Sequence, residues 1–260
     1  MAGCIEAIAD RKGKAAGVGI SCSALVNEKV GRITLSIIQS LNDTRSMCLA
    51  DYFEVKYKIQ TYVDNDINML LTALQMTSEK IERTETMLCV GISESAGMSF
   101  IAEGMLYRGA HNLAGNLLLF DDMPNMLAIK RDIRAFLEDH PDFDRARLNL
   151  SANEKLSTRH IQYALQHEDP TILSRLIPFA TQIGQCIAKI EQLLDAEYIV
   201  VFCPIFEHGD ALFERVTVAF CEKAFEPYHA VKFVKMPLND EMFAVSAAKY
   251  AYRMTFRLTS

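Results

Sequence analysis

The sequence predicts an α/β protein with parallel strand pairing. Three observations predict it. Short β-branched or aromatic runs, at 58–63, 86–92 and 198–202, read as strands. Longer helix-forming runs, at 67–74, 170–194 and 241–253, alternate with them, and that alternation is the mark of strands joined by helical crossovers. Half of the 260 residues are hydrophobic, enough for a sizeable core in one large domain or two modest ones.

In chain order, residues 4–10 read as the last turns of a helix, followed by a basic turn at 11–14. Residues 17–22, Gly-Val-Gly-Ile-Ser-Cys, read as a buried strand whose small residues serve either packing or close ligand approach. Residues 28–33 turn into a short strand, and 40–46 is a polar loop. Residues 47–55 place Leu49, Tyr52 and Phe53 on one helical face. After the strand at 86–92 comes a small-residue turn at 93–97. A strand then turns at Glu103-Gly104 into Met105-Leu106-Tyr107, a hairpin signal. Residues 108–116 form a polar, glycine-containing loop of the kind that carries ligands on a rigid frame.

Residues 127–137 are amphipathic. Residues 138–155 are charged and irregular, a surface excursion with a break at His140-Pro141. A short helix at 158–166 precedes the long one, which Pro170 opens as a first-turn proline. A helix at 212–225, with Asp210 as its cap, a strand at 231–234 and a helix at 241–253 complete the order.

Composition excludes several classes. The net charge of -6 argues against nucleic-acid contact by this chain, since phosphate binding needs clustered Lys and Arg. No apolar run reaches membrane-spanning length, and the first residues lack a signal-peptide pattern. The seven Cys are scattered without a C-x-x-C pair, so they read as buried thiols of a cytoplasmic protein. His140, His160, His167, His208 and His229 lack metal-ligand spacing.

The stretch around which the chain is organised is the hand-over at Asp64-Asn65-Asp66, where a strand passes into a buried helix. Ligands of α/β proteins gather at such strand ends, and a carboxylate there can take a proton from a hydroxyl. The plainer reading is helix capping, for which Asp and Asn are preferred. Capping needs one such residue, and here there are three.

Three stretches together resemble the ROK family of repressors and sugar kinases. Val63-Asp64-Asn65-Asp66-Ile67-Asn68 is similar to the family's Asn-Asp-x-Asn motif. Residues 104–115, Gly-Met-Leu-Tyr-Arg-Gly-Ala-His-Asn-Leu-Ala-Gly, are similar to its Gly-x-Leu-Tyr-x-Gly…Ala-Gly-Glu segment. Residues 193–201, Leu-Leu-Asp-Ala-Glu-Tyr-Ile-Val-Val, are similar to its Leu-Leu-Asp-Pro-Glu-x-Ile-Val-Ile. The resemblance implies the actin-like ATPase (ribonuclease H-like) fold with two lobes. It divides the chain into a remnant N-terminal lobe at 1–82, a C-terminal lobe at 83–240 that carries dimerisation, and a returning helix at 241–260.

By the same resemblance, Asp66 takes the place of the catalytic base and Asn65 a sugar-binding place beside it. His111, Asn112 and Asn116 are the further sugar contacts. Asn116 stands where the family has Glu, and Leu119 stands where it has a His that binds zinc or sugar. The zinc cysteines that follow in the family are absent, so no structural zinc is expected. The first phosphate loop, Asp-x-Gly-x-Thr, has no counterpart, which leaves the N-terminal lobe incomplete. The second, glycine-rich in kinases, reads Ser93-Glu94-Ser95-Ala96-Gly97-Met98-Ser99, and the glycines beside adenosine read Cys203-Pro204-Ile205. A Glu repels phosphate and a Pro removes a backbone donor.

The expectation is therefore a sugar-sensing, NagC/XylR-type regulator's effector and dimerisation domain without its DNA-binding part. Asp66 is idle as a base, no cofactor is bound, and the partners are a sugar or sugar phosphate and further copies of the chain in a dimer or tetramer. The alternatives are an ATP- and Mg-dependent kinase of hexoses or N-acetylhexosamines, and an interaction module with no ligand.

Overall fold

A computed structural model describes residues 15–36, 43, 47–77, 85–117, 122–236 and 240–256. The expected helix at 4–10, the turn at 11–14, most of the loop at 40–46 and Leu119 lie outside these residues. In chain order the elements are β1 (Val18–Cys22), β2 (Leu25–Asn27), β3 (Arg32–Leu35), α1 (Leu49–Tyr57), β4 (Thr61–Asn65) and α2 (Asp66–Gln75). They continue with β5 (Met87–Ile92), β6 (Ala96–Ala102), β7 (Met105–Leu106), α3 (Met126–Asp139), α4 (Thr158–Gln166) and α5 (Pro170–Leu194). β8 (Tyr198–Phe202), α6 (Asp210–Lys223), β9 (Lys232–Met236) and α7 (Asp240–Phe256) complete the order. The chain divides into two compact units: Met1–Arg83 with Met105–Ala114 and Asp240–Ser260, and Thr84–Gly104 with Gly115–Asn239.

In the first unit β1 and β4 pair in parallel, from Val18 opposite Thr61 to Cys22 opposite Asn65. β2 and β3 form an antiparallel pair. One apolar cluster joins Ile20, Cys22, Val26, Ile33 and Val63 to Phe53 of α1. A second joins Met69 of α2 to Ala247 and Tyr250 of α7, with Tyr62 against them. Gly19 fixes how closely α7 approaches β1, because a Cβ there would lie 1.9 Å from the Ala247 carbonyl oxygen. α1 starts two residues later than its apolar pattern suggests. Its cap is a thiol: Cys48 Sγ accepts from the Asp51 N–H at 3.4 Å and donates to the Val30 carbonyl at 2.6 Å. Tyr52, expected on the inner face, is 46% exposed and packs edge-on against buried Phe53.

In the second unit β6 pairs antiparallel with β5, and β5, β8 and β9 run parallel. The turn at Glu103 and Gly104 has φ of 53° and 73°, the two positive values that a two-residue hairpin turn requires. All six residues of β5 are buried, as a strand covered on both faces should be. Asp169 caps α5 by accepting from the Ile172 N–H at 2.9 Å, with Pro170 at the first turn as expected. Asp210 corrects its expected role: Gly209 is the cap residue, and Asp210 lies inside α6 and pairs with Lys235. Residues 138–155 are less of an excursion than their charge suggests. Leu148 and Leu150 anchor the segment in the core of this unit, through a 3-10 turn at Arg145–Leu148.

Candidate functional site

β4 ends where its neighbours divide three adjacent polar residues into three roles. Asn65 is the N-cap of α2. Its Oδ1 accepts from the N–H groups of Ile67 (3.0 Å) and Asn68 (3.3 Å), and its Nδ2 donates to the Ala24 carbonyl at 3.0 Å. The capping reading thus holds for one residue of the triplet.

Asp64 is 1% exposed and fully engaged. Arg108 grips it with two guanidinium nitrogens, Nη1 to Oδ1 at 3.2 Å and Nη2 to Oδ2 at 2.6 Å. Asn68 Nδ2 and the Asn65 N–H also donate to Oδ1, at 3.1 and 2.7 Å. Arg108 Nη2 further donates to the Tyr250 hydroxyl at 3.1 Å, and its Nε lies 3.7 Å from Glu28 Oε1. Burial acts to lower the Arg108 pKa, but the hydrogen bond and charge of Asp64 outweigh it and hold the guanidinium charged. Burial, reinforced by the Asp64 charge, raises the Tyr250 phenol, so it stays protonated. A forked cation on a buried carboxylate is the arrangement that offsets desolvation of both.

Asp66, two residues on, is in the opposite condition. It is 8% exposed, and among the described residues no cation pairs with it. Burial pushes its carboxyl up to about 6, while Ser23, the Ile67 and Asp66 N–H groups and Asn65 pull it back. Its Oδ1 accepts from the Ile67 N–H at 2.9 Å. A buried carboxylate titrating near neutrality matches a proton acceptor. Cys22 nearby is no nucleophile: burial, then the charges of Asp66 and Asp64, push its thiol up to about 12.

His111 and Asn112 lie in the loop of the first unit that Arg108 opens. His111 is exposed; Asn112 is half-buried with φ of 56°, and the Ala114 N–H closes the loop on the Arg108 carbonyl at 3.2 Å. The first unit therefore carries Asn65, Asp66, His111 and Asn112. Asn116 belongs to the second unit, where it bridges Gly97. Gly115, at φ 86°, makes that bridge possible, since a Cβ there would lie 1.9 Å from the Met98 carbonyl oxygen. Sequence reasoning missed Arg108, Tyr250, Glu28 and the separate role of Asp64. One signal was available: a carboxylate inside a strand needs a cation, and Arg108 is the only Lys or Arg between 104 and 116.

In the second unit the turn after β5 is closed on itself. The Ser93 N–H and hydroxyl donate to the Ser95 carbonyl at 2.7 and 3.3 Å, and the Ser93 carbonyl accepts from the Met126 N–H at 2.8 Å. Lys130 Nζ holds both Glu94 oxygens, at 2.5 and 2.7 Å. After β8, Pro204–Phe206 form a 3-10 turn in which Ile205 and Phe206 are buried, and Gln162 Nε2 donates to the Pro204 carbonyl at 3.0 Å. In the first turn the Ser93 N–H is spent on the Ser95 carbonyl, and in the second Pro204 has no N–H and the Phe206 N–H donates to the Cys203 carbonyl at 3.2 Å, whereas phosphate binding uses a row of free N–H groups. Among the described residues no cluster of three or more His, Cys, Asp or Glu could hold a metal ion. Nor is any described helix long and apolar enough to cross a membrane.

Comparison with known proteins bears on these features. The ROK family model matches residues 1–117 of this chain. No curated protein matches. Among solved structures, a ROK family glucokinase from Streptomyces griseus, in complex with glucose and AMPPNP, is similar with a TM-score of 0.80 and 18% identity. That similarity covers 97% of this chain and 88% of the glucokinase. A ROK family transcriptional regulator, a homologue of the E. coli MLC protein, is similar with a TM-score of 0.75 and 16% identity over 98% of this chain and 67% of its own. A ROK family protein from Streptococcus pneumoniae, in complex with sucrose, has a TM-score of 0.74 and 16% identity over 99% and 88%. The fold is that of the ROK sugar kinases, the actin-like ATPase fold.

Proposed function

Starting from a chain with the ROK resemblance and a fold shared by ROK kinases and a ROK regulator, we propose that it senses a sugar and does not phosphorylate it. It acts as the effector and dimerisation domain of a transcriptional regulator. The observation that carries this reading is the condition of the turn after β5, in which the Ser93 N–H and hydroxyl bond to the Ser95 carbonyl and a Glu94 carboxylate, held by Lys130, stands where phosphate would bind. Phosphoryl transfer is mostly positioning and charge stabilisation around phosphate and metal, and this turn supplies neither.

The end of β4 supports the sugar half of the proposal. Asp66 offers a buried carboxylate with no ion pair among the described residues, and the Asn65 amide lies beside it, bonded to it and to the Ala24 carbonyl. A carboxylate and an amide side by side are groups that match sugar hydroxyls. His111 and Asn112 are further contacts on the loop that Arg108 opens. Similar proteins were solved with glucose and with sucrose.

Calorimetric titration with hexoses and N-acetylhexosamines tests the proposal. Binding of one of them, lost in Asp66→Ala, with silence toward Mg-ADP, is the expected result. Saturable Mg-ADP binding, or silence across the whole panel, overturns it. One observation favours the alternative of a sugar kinase: the Asp66 carboxyl, at about 6, is suited to deprotonate a hydroxyl. Sugar-dependent release of ADP, abolished by Asp66→Asn, would establish that reading instead.

A further inference from the structure

A concavity lies in the second unit, on residues that the sugar reading does not use. It encloses about 530 Å³, within the size range of small-molecule sites. Its apolar floor is Leu137, Leu150 and Leu156, each buried and part of the core of this unit. Arg134 of α3, Arg145 of the 3-10 turn and Lys155 stand around it.

These three cations differ from their neighbours. Arg147 pairs with Asp169 and lies over the Phe143 ring, Arg175 pairs with Asp132 and lies over the Phe136 ring, and Arg159 pairs with Glu154. Arg134, Arg145 and Lys155 have no ion pair among the described residues. Two carboxylates also line the concavity, Glu138 and Glu154. Glu154 is offset by Arg159, whose hydrogen bond holds its carboxyl below the ordinary value. The balance is positive, on a chain whose net charge is -6.

The wall is ordered by its own chemistry. Asn149 turns the chain at φ 50°, and His160 Nδ1 accepts from the Ser157 N–H at 2.9 Å, closing the capping box of α4. The His160 Nε2 is buried behind the wall without a hydrogen-bond partner, 3.4 Å from Glu154 Oε1.

We propose that this concavity is a binding site for a small organic anion: a carboxylate or phosphate monoester whose hydrocarbon body lies on the three leucines. The floor takes the apolar body, and Arg134 and Arg145 fork onto the anionic oxygens, as guanidinium groups do with carboxylate and phosphate. Lys155 adds a mobile third charge. The site is independent of Asp66 and stands whether or not the chain binds a sugar.

The test uses the full chain and phenyl phosphate as the probe, titrated by calorimetry, with benzoate, inorganic phosphate and benzyl alcohol in parallel. Phenyl phosphate and benzoate are expected to saturate a single class of site. Benzyl alcohol, which has the body without the charge, and inorganic phosphate, which has the charge without the body, are expected to bind at least ~10-fold more weakly. Arg134→Ala and Arg145→Ala are each expected to weaken phenyl phosphate ~10-fold, the worth of a charge-assisted hydrogen bond. Arg131→Ala, an exposed position on α3 outside the lining, should leave affinity unchanged. The proposal is overturned if phenyl phosphate fails to saturate, or if inorganic phosphate binds as tightly, which would mark an adventitious ion only. It is also overturned if the Arg131 and Arg134 variants behave alike.

Discussion

The end of β4 and the turn after β5 each bring polar side chains to the end of a strand, and the two are satisfied differently. At β4 the charge of Asp64 is met by Arg108, and the carboxylate of Asp66 is left over. After β5 the only carboxylate, Glu94, has its cation in Lys130, and the Ser93 N–H bonds within the turn to the Ser95 carbonyl. A site that keeps an unpaired buried charge holds it at a cost in stability, whereas a closed turn carries no such cost. That difference is what the proposed reading needs: a group left for a ligand at the first and a settled turn at the second.

Breaking the ion pair at β4 should have the largest effect. Arg108→Met strands Asp64 in the interior and is expected to destabilise the protein by roughly 3–5 kcal/mol in urea unfolding. Adding Asp64→Asn should recover part of that loss. If the single variant unfolds at the wild-type midpoint, Asp64 does not depend on Arg108.

Next comes Asp66→Asn, which should stabilise. Folding raises the Asp66 pKa from 3.8 to about 6, so the fold favours the protonated acid. The wild type therefore loses stability as pH rises from about 4 to about 6, by roughly 3 kcal/mol in all, and the loss persists above that range. The amide variant escapes it, so its melting temperature should exceed that of the wild type at neutral pH and converge with it in acid. A variant no more stable at neutral pH would mean that Asp66 is better solvated or paired than its burial implies.

A smaller change is expected from Asn65→Ala. Losing the α2 cap costs about 1 kcal/mol, with a further penalty at the Ala24 carbonyl, measurable as a shift in urea midpoint. Smallest of all is Glu94→Gln. Its pair with Lys130 is half-exposed at the carboxylate, so stability should move by no more than ~0.5 kcal/mol, and Mg-ADP should still fail to bind. A gain of nucleotide affinity from that one change would erase the contrast between the two strand ends.

The alternation of strands and helices was legible in the sequence because periodicity is a local property. So was the hand-over at Asp64–Asp66, because a strand pattern meets a helix pattern there. The division of roles among the three residues was not legible. It depends on Arg108, 44 positions away, and on Tyr250, a further 142 positions from Arg108. Periodicity tells which face a residue occupies, not which distant group meets it there. The Cys48 cap was missed for a different reason: sulfur is a weak acceptor and ranks outside the usual cap residues, so only the geometry beside Val30 exposes it. Arg134 and Arg145 read as solvated charges in sequence, because an unpaired arginine looks the same as a paired one until its neighbours are placed.

The first unit takes its residues from three separated stretches, and Gly19 lies directly beneath the Ala247 carbonyl. During synthesis, β1 and β4 leave the ribosome long before the helix that covers them. The whole run from β8 to β9 must emerge first. The second unit can assemble while the first still waits, with Met69 and Tyr62 uncovered until α7 arrives. Nascent chains paused before residue 240 should thus be the form most prone to capture by chaperones, with the unit that carries Asp66 the last to be completed.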